Sequence, residues 1–254
     1  MAIQRNKLEI FLTNLLHPED FSDYGPNGLQ IEGNEVIKKI AFALSATKES
    51  IDRAVAEKAD ALIVHHGLFW NFYGAKVLTG PFGKRVSPLI KNEINLFAYH
   101  LPLDANLEVG NAKSLAEKIG LLKLKPFGDY KGSPMGVWGS FKKNYSPDML
   151  KEKLESVLDH LVYVAAPKGK QIKTLGIITG GANSQWTFSK NLGLDAYLTG
   201  EMSEHDYHES QEAGIAMFAG GHNATEKFGI MALMNLVKIK FKIKVLWIDS
   251  DNPA

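Results

Sequence analysis

The sequence contains no cysteine among its 254 residues, and this absence removes several kinds of chemistry. Disulfide bonds, thiolate zinc sites, iron–sulfur clusters and cysteine nucleophiles are all excluded. Any metal ion that this chain binds must therefore be held by nitrogen and oxygen atoms.

An excess of charge and a long apolar run are also missing. The chain has 29 Lys and Arg against 28 Asp and Glu, so no overall field draws it to nucleic acid or to an anionic membrane. No apolar run approaches the ~18 residues of a membrane span. The first 16 residues predict an amphipathic helix with polar residues in its apolar stripe, unlike a signal peptide. We expect a cytoplasmic protein that binds no membrane.

Familiar nucleotide and nucleophile motifs are absent as well. Residues 80–85 (GPFGKR) lack the spacing of a phosphate-binding P-loop, and no G-x-G-x-x-G or G-x-S-x-G is present. Lysines alternate with apolar residues from Lys238 to Lys244, a pattern that could contact phosphates but more often protects an edge strand or its approach. We therefore do not expect nucleic-acid binding.

Two stretches of the chain share one order of strands and helices, over residues 40–99 and 174–219. The first strand of each lies 20 positions before an Asp-Ala pair that opens the second strand, from Ile40 to Asp60 and from Leu175 to Asp195. Both third strands contain Phe-Ala. The pattern predicts an α/β fold of two interlocked, related βαβ-type halves with layered helices and an inserted middle segment.

The expected domain boundaries follow from this repeat. Residues 1–125 form the first half, residues 126–170 an inserted subdomain or lid, and residues 171–254 the second half. No low-complexity linker separates the halves, which favours interlocked halves over separable domains.

Candidate ligand groups follow three of the predicted strands. These groups are His65 and His66, His100 and Asp104, and His222 and Glu226. The carboxyl ends of strands in βαβ units are where ligands gather. Each group alone also has an ordinary structural explanation: hydrogen-bonded histidines that close a strand, an Asx turn, or a solvated pair in a first helical turn. Pro102 favours an ordered loop over a helix between His100 and Asp104.

Taken together, these residues indicate a metal site. A set of imidazole and carboxylate groups suits Zn, Fe, Mn, Ni or Co better than Ca or Mg. The set exceeds the three protein ligands of a single tetrahedral catalytic site. Two divalent ions about 3.5–4 Å apart, sharing a carboxylate and a water molecule, would use all of these ligands.

Several segments are similar, in order and over essentially the whole chain, to the GTP cyclohydrolase I type 2 homologue family, whose eukaryotic members are called NGG-interacting-factor-like proteins. The segments are NGLQIEG (27–33), HHGLFW (65–70), HLPLDAN (100–106), LTGEMSEHDYH (198–208), GGHNATE (220–226) and the terminal IDSDNPA. The resemblance implies a dinuclear metal site and a ring-shaped homohexamer. Its implied ligands are His65, His66, Asp104, His222 and Glu226, with Glu226 as the bridge.

The resemblance also extends to residues beside the metal ligands. His100 matches a neighbouring pocket histidine, whereas Leu101 stands where many members have Thr. Glu201 and His208 match further family positions, and the repeat places Glu201 where the first half has its histidine pair. Glu201 could equally be a solvated acid at a helix start. We expect His100 and Glu201 to be the proton-transfer candidates and His208 to line the pocket.

The function expected from these features is metal-dependent hydrolysis of a small nucleotide-like, phosphoester or C–N substrate. A non-enzymatic metal-handling or regulatory interaction protein is the alternative from another class. A nucleic-acid-associated ring that uses the lysines at 238–244 is a second alternative.

Overall fold

The computed structural model describes all 254 residues and divides them into two compact units. Unit 1 comprises Met1–Leu103 and Ile230–Asp251, and unit 2 comprises Asp104–Gly229 and Asn252–Ala254. The two units do not coincide with the domains expected from the sequence, whose boundaries follow residues 125 and 170. Those domain boundaries stay a prediction.

Helices and strands alternate along most of the chain. The α-helices are α1 (Arg5–Leu16), α2 (Lys48–Ala56), α3 (Gly80–Lys91), α4 (Leu101–Asp104), α5 (Asn111–Lys118), α6 (Pro147–Leu158), α7 (Trp186–Asn191), α8 (Glu204–Glu212) and α9 (His222–Phe241). The strands are β1 (Ile3–Gln4), β2 (Gly28–Ile31), β3 (Val36–Ile37), β4 (Lys39–Ser45), β5 (Ala61–His66), β6 (Asn95–Ala98), β7 (Leu122–Tyr130), β8 (Ser133–Tyr145), β9 (Tyr163–Ala165), β10 (Ile172–Ile177), β11 (Ala196–Thr199), β12 (Ala216–Ala219) and β13 (Lys244–Ile248). Short 3₁₀ turns cover Pro18–Asp20, Asn71–Tyr73 and Asn183–Gln185. The fold class is α/β, as the sequence predicts.

Unit 1 is built around a five-stranded sheet with the order β13-β4-β5-β6-β2. The first four of these strands are parallel, and β2 runs antiparallel to β6 at the edge. The central strands read as continuous apolar runs because both faces are covered. Leu62 and Val64 of β5, for example, share one buried cluster with Ile51 of α2 and Leu89 of α3.

Unit 2 contains a six-stranded sheet with the order β7-β8-β10-β11-β12-β9. Strands β10, β11 and β12 are parallel, while β8 and β9 pair antiparallel on either side of them. The segment 126–170 thus supplies strands to this sheet. The same segment supplies α6. Ser146 is the N-cap residue of α6, and its side-chain oxygen accepts a hydrogen bond from Met149 N.

The two parallel cores have matching registers. Ile40 pairs with Ala61 in unit 1, and Leu175 pairs with Ala196 in unit 2. The aspartate before each second strand accepts two backbone N–H groups at the start of the first strand: Asp60 Oδ2 from Lys38 and Lys39, and Asp195 Oδ2 from Lys173 and Thr174. In both units, therefore, the aspartate of the Asp-Ala pair ties its strand to the start of the neighbouring strand. We call this arrangement, at Asp60 and at Asp195, the Asp-Ala brace.

One local prediction is wrong. The loop expected between His100 and Asp104 is instead one helical turn, α4. Pro102 is tolerated there because the N–H groups of a first turn have no helical partner to lose. The alternating lysines lead from the end of α9 at Phe241 to Lys244, the first residue of the edge strand β13, so they lie at the approach to an edge strand, as the sequence favours. No helix in the structure combines the length and apolar composition that a membrane crossing requires.

Candidate metal centre

Three histidines of unit 1 come together at the carboxyl ends of β5 and β6. His65 and His66 end β5, and His100 follows β6. One ring nitrogen from each of the three lies within 4.8 Å of the others, a spacing that one metal ion can span. The sequence predicted that the strand ends would be close, and the structure confirms this for these three residues.

A protein oxygen lies beside the Nδ1 atom of each of these rings. His65 Nδ1 is 2.9 Å from the backbone oxygen of Tyr99, which can only accept, so Nδ1 carries the proton and Nε2 keeps its lone pair. His66 Nδ1 is 2.9 Å from Ser45 Oγ, and His100 Nδ1 is 2.8 Å from Asp23 Oδ1. Such contacts leave Nε2 as the ring atom that could bind a metal ion, the usual arrangement of a ligating histidine.

Asp23, whose side chain is buried, belongs to this cluster and was missed by sequence reasoning. Its carboxylate accepts hydrogen bonds from the side chain of Asn27 and the backbone N–H of Leu101 in addition to His100. Burial alone would raise the pKa of Asp23, but the bonds from His100 and Asn27 hold that pKa below its usual value. Asp23 therefore stays ionised and fixes the orientation of the His100 ring.

Gly67 lets the chain leave β5 close to its neighbours. A Cβ atom at this position would lie 2.5 Å from the side-chain amide of Gln30 and 2.7 Å from Ala98 Cβ. Gln30 also accepts a hydrogen bond from Leu68 N through Oε1. The ring centroids of His65 and His66 are 4.6 Å apart, so the side chains of these two consecutive residues lie side by side.

Unit 2 has a cluster of one imidazole and two carboxylates at the start of α9. His222 Nε2 lies 3.1 Å from Glu226 Oε2, one helical turn away, and His222 Nδ1 lies 2.6 Å from Glu201 Oε1. Glu226 is 3% exposed, whereas the Glu201 side chain is half exposed. The predicted pair His222 and Glu226 is confirmed as a contact, and Glu201 joins it from the end of β11.

The protonation of His222 reflects these two carboxylates. Burial opposes protonation of the ring, but hydrogen bonds and charge from Glu226 and Glu201 raise the pKa of His222 to about 9. A metal ion that bound Nε2 would take the place of the proton between His222 and Glu226, while Glu201 would keep its hydrogen bond to Nδ1.

Gly180 makes room for Glu226. Its φ is +69°, and a Cβ atom there would overlap Glu226 Oε1. The Gly180 N–H also donates to Thr225 Oγ1, 3.1 Å away. Sequence reasoning did not single out Gly180, although a Gly-Gly pair directly after a predicted strand was an available signal.

Asp104 is held by another residue that sequence reasoning missed. Its Oδ1 accepts a hydrogen bond of 2.8 Å from Asn111 Nδ2. Asn111 is fully buried, and its own Oδ1 accepts from Gly229 N at 2.7 Å. The side chain of Asn106 instead caps the backbone of Glu108 and Val109.

The remaining histidines of unit 2 lie elsewhere. His208 is 63% exposed on α8, 3.7 Å from Glu204, and its assignment to a pocket stays a prediction. His205 is exposed on the same helix. His160, which showed no signal in the sequence, contacts the backbone oxygens of Leu161 and Pro253 and lines a cavity next to Glu201.

The donor atoms of the two units are nitrogen and carboxylate oxygen, a combination that suits first-row transition metals. Unit 1 offers three imidazoles, and unit 2 offers an imidazole with carboxylates. The candidate His and Glu groups for metal binding are therefore present in the folded chain.

Comparison with known proteins identifies the family. A protein of Pasteurella multocida (strain Pm70) called GTP cyclohydrolase 1 type 2 homolog is 40% identical over 249 residues, covering 98% of each chain. A protein of the same name from Pyrococcus abyssi (strain GE5 / Orsay) is 36% identical over 250 residues, again covering 98% of each chain.

Solved structures show the same fold. The structure of protein ybgI, described as of unknown function, matches with a TM-score of 0.90 at 35% identity and covers 99% of this chain and 100% of its own. The protein TTHA1606 from Thermus thermophilus matches with a TM-score of 0.89 at 29% identity over the same shares. The model of Duf34/NIF3 (NGG1p interacting factor 3) matches residues 3–253. The chain therefore belongs to the DUF34/NIF3 family.

Proposed function

We propose that this protein is a metal-dependent hydrolase that uses two divalent ions per chain, drawn from Zn, Fe, Mn, Ni and Co. Its substrate is a small nucleotide-like, phosphoester or C–N compound. The proposed ligands are His65, His66, Asp104, His222 and Glu226, with Glu226 as the bridge. One observation supports this most: the Nδ1 atoms of His65, His66, His100 and His222 each contact a protein oxygen, which makes Nε2 the atom of each ring suited to face a metal.

The chemistry of the donors fits such ions. His65 is fully buried and cannot be hydrated like a surface imidazole, so its orientation serves a specific partner. Glu226 is buried beside a histidine at helical spacing and could share its two oxygens between two ions. The holding groups Asp23, Glu201 and Asn111 fix the rings and carboxylates around them.

Two bound ions would supply an electrophile and activate a water molecule for attack at neutral pH. The chain's own residues would orient the reactants and move protons. We assign proton transfer to His100, because Asp23 holds its Nδ1–H and leaves Nε2 available. Glu201 contacts His222 directly, so we assign it the orientation of the His222 ring. Because its carboxylate is half exposed, we also assign it proton exchange.

The decisive experiment combines metal analysis with turnover. We would reconstitute the protein with Zn, Mn or Fe and assay GTP, phosphoesters and cyclic amides, with GTP included because relatives carry its name. Glu226→Ala should lose bound metal and metal-dependent turnover. Glu209→Ala is the matched control, since Glu209 is an exposed acid of the same unit.

Three outcomes separate the alternatives. Two ions per chain in Glu226→Ala would refute the ligand assignment. Equal rates in Glu226→Ala and the unmodified protein would refute the hydrolase. Metal binding that depends on Glu226, without turnover on any substrate class, would instead support a metal-handling or regulatory protein.

We also propose that the chain assembles as a homohexamer, which rests on the family resemblance. Light scattering should then return about six times the 28.1 kDa chain mass. A mass near that of one chain would refute it.

A further inference from the structure

A cavity of about 590 Å³ lies within unit 2 beside Glu201. We call it the tyrosine pocket, and its walls include Tyr163, Tyr207, Gly200, Gly221 and Glu201. Its volume is within the range of pockets that hold nucleoside-sized ligands. Apart from Glu201, these wall residues have no part in the proposed metal chemistry.

The tyrosine pocket presents two aromatic rings. Tyr163, the first residue of β9, is 69% exposed, and Tyr207 of α8 is 45% exposed. Both therefore keep ring surface open to a ligand. Aromatic faces stack well on planar rings, and Met202 adds a polarisable side chain to the same lining.

Two glycines, Gly200 and Gly221, expose backbone in the wall of the pocket. A Cβ atom on Gly200 would be 2.7 Å from His222 Cα, and one on Gly221, whose φ is +88°, would be 2.8 Å from His160 Cε1. No side chain therefore separates this wall from the backbone of His222. Because Glu201 both lines the pocket and bonds to the His222 ring, a ligand here would reach the proposed catalytic groups.

The polar groups of the pocket select against phosphate. Its lining contains the carboxylates of Glu201 and Glu204 and no Lys or Arg. His160 has no ring N–H left to donate to a phosphate, because both of its ring nitrogens already contact backbone oxygens. Carboxylates accept hydrogen bonds, so a ligand that presents N–H donors is favoured over an anion.

We infer that the tyrosine pocket binds the planar, N–H-bearing heterocycle of the substrate, between Tyr163 and Tyr207 and against Glu201. This inference rests on the proposed function and narrows its substrate class. The substrate is a nucleoside-like or cyclic amide compound with ring N–H donors, and a phosphoester without such a ring lacks this contact.

The test measures ligand binding to the metal-loaded, full-length protein by calorimetry. The probes are guanosine, caffeine as a planar heterocycle without N–H donors, and ribose 5-phosphate as a phosphoester without a planar heterocycle. Guanosine should bind more tightly than the other two. Tyr163→Ala and Tyr207→Ala should each weaken guanosine binding by about tenfold, as loss of a stacking ring does.

Matched variants keep this result specific. Tyr163→Phe and Tyr207→Phe retain the ring and should bind guanosine as the unmodified protein does. Tyr73→Ala, an exposed tyrosine of unit 1, should have no effect. Metal content should be the same in all five variants, because none of these tyrosines is a proposed ligand.

The outcomes distinguish the pocket from the hydrolase. Guanosine binding that is unchanged in both alanine variants, or no tighter than that of ribose 5-phosphate, would overturn the pocket and leave the hydrolase intact. Tyrosine-dependent guanosine binding without metal-dependent turnover on any substrate would refute the hydrolase and support the pocket as a ring-binding site.

Discussion

Units 1 and 2 build their parallel strands in the same way and then end them with different chemistry. In unit 1 the second parallel strand ends in His65 and His66, and in unit 2 the corresponding strand is followed by Gly200 and Glu201. The first unit therefore concentrates imidazoles, whereas the second surrounds one imidazole with carboxylates. A shared backbone plan fixes where functional groups lie, and the side chains at those points decide what they can bind.

The same contrast holds one strand away. Ser45 lies five positions after Ile40, and Gly180 lies five positions after Leu175. Ser45 contacts the His66 ring through its hydroxyl, while Gly180 has no side chain and so admits Glu226. Unit 1 holds its candidate ligand His66 with a side chain, and unit 2 makes space for its candidate ligand Glu226 by having no side chain at Gly180.

The largest expected effect comes from filling that space. Gly180→Ala should lower the free energy of unfolding by roughly 3 kcal/mol or more, because it adds left-handed backbone strain to an overlap with buried Glu226. It should also displace Glu226 and reduce bound metal. Urea denaturation and metal analysis would measure both effects.

Gly193 provides the control for Gly180. Its φ is +65°, but no atom lies within 4 Å of an added Cβ. Gly193→Ala should therefore cost only the strain, about 1–2 kcal/mol, and leave metal content unchanged. Equal losses in the two variants would show that Gly180 serves backbone conformation alone.

A second, smaller effect should appear in metal affinity. Glu201→Gln replaces the charged acceptor of His222 Nδ1–H by a neutral one and should weaken zinc binding by about 10- to 100-fold. Ser45→Ala, the corresponding change at His66, removes only a neutral hydroxyl and should weaken it less. Zinc titrations of the two variants would show whether zinc affinity depends more on Glu201 in unit 2 than on Ser45 in unit 1. A larger loss of affinity in Ser45→Ala than in Glu201→Gln would contradict this prediction.

Sequence reasoning located the strands and most candidate ligands because those signals are local. Apolar runs, the repeated Asp-Ala pair and histidines directly after strands can all be recognised within a few residues. His222 and Glu226 were predicted as a pair because helical spacing alone brings them together.

The groups that hold the candidate site residues could not be predicted in this way. Asp23 and His100 are separated by 77 positions, and Asn111 and Gly229 by 118. Nothing near either residue in the sequence marks it as a partner of a distant group. The one-turn helix α4 was missed for a different reason, since Pro102 disfavours helix everywhere except in a first turn.

The Asp-Ala brace allows a third comparison of the units. Asp195→Asn should lower the free energy of unfolding by about 1–3 kcal/mol, because Asp195 Oδ2 accepts from Lys173 N, Thr174 N and Thr174 Oγ1. Asp60→Asn should cost less, since Asp60 Oδ2 accepts only two backbone N–H groups. Denaturation of both variants at pH 7 would measure the difference, and a larger cost at Asp60 would contradict it.

The smallest effect is the pH dependence of that brace. Burial raises the pKa of Asp195, but the hydrogen bonds from Lys173 and Thr174 outweigh burial and hold the pKa below the usual 3.8. A carboxyl whose pKa is lower in the folded chain stabilises the fold above its unfolded pKa, and this stabilisation is lost as the pH falls through the folded pKa. The difference in unfolding free energy between the unmodified protein and Asp195→Asn should therefore be constant from pH 7 down to about pH 5 and shrink below about pH 4. Urea denaturation across that range would measure it, and a difference that grew on acidification would show that neutral Asp195 holds the two strands better than the carboxylate does.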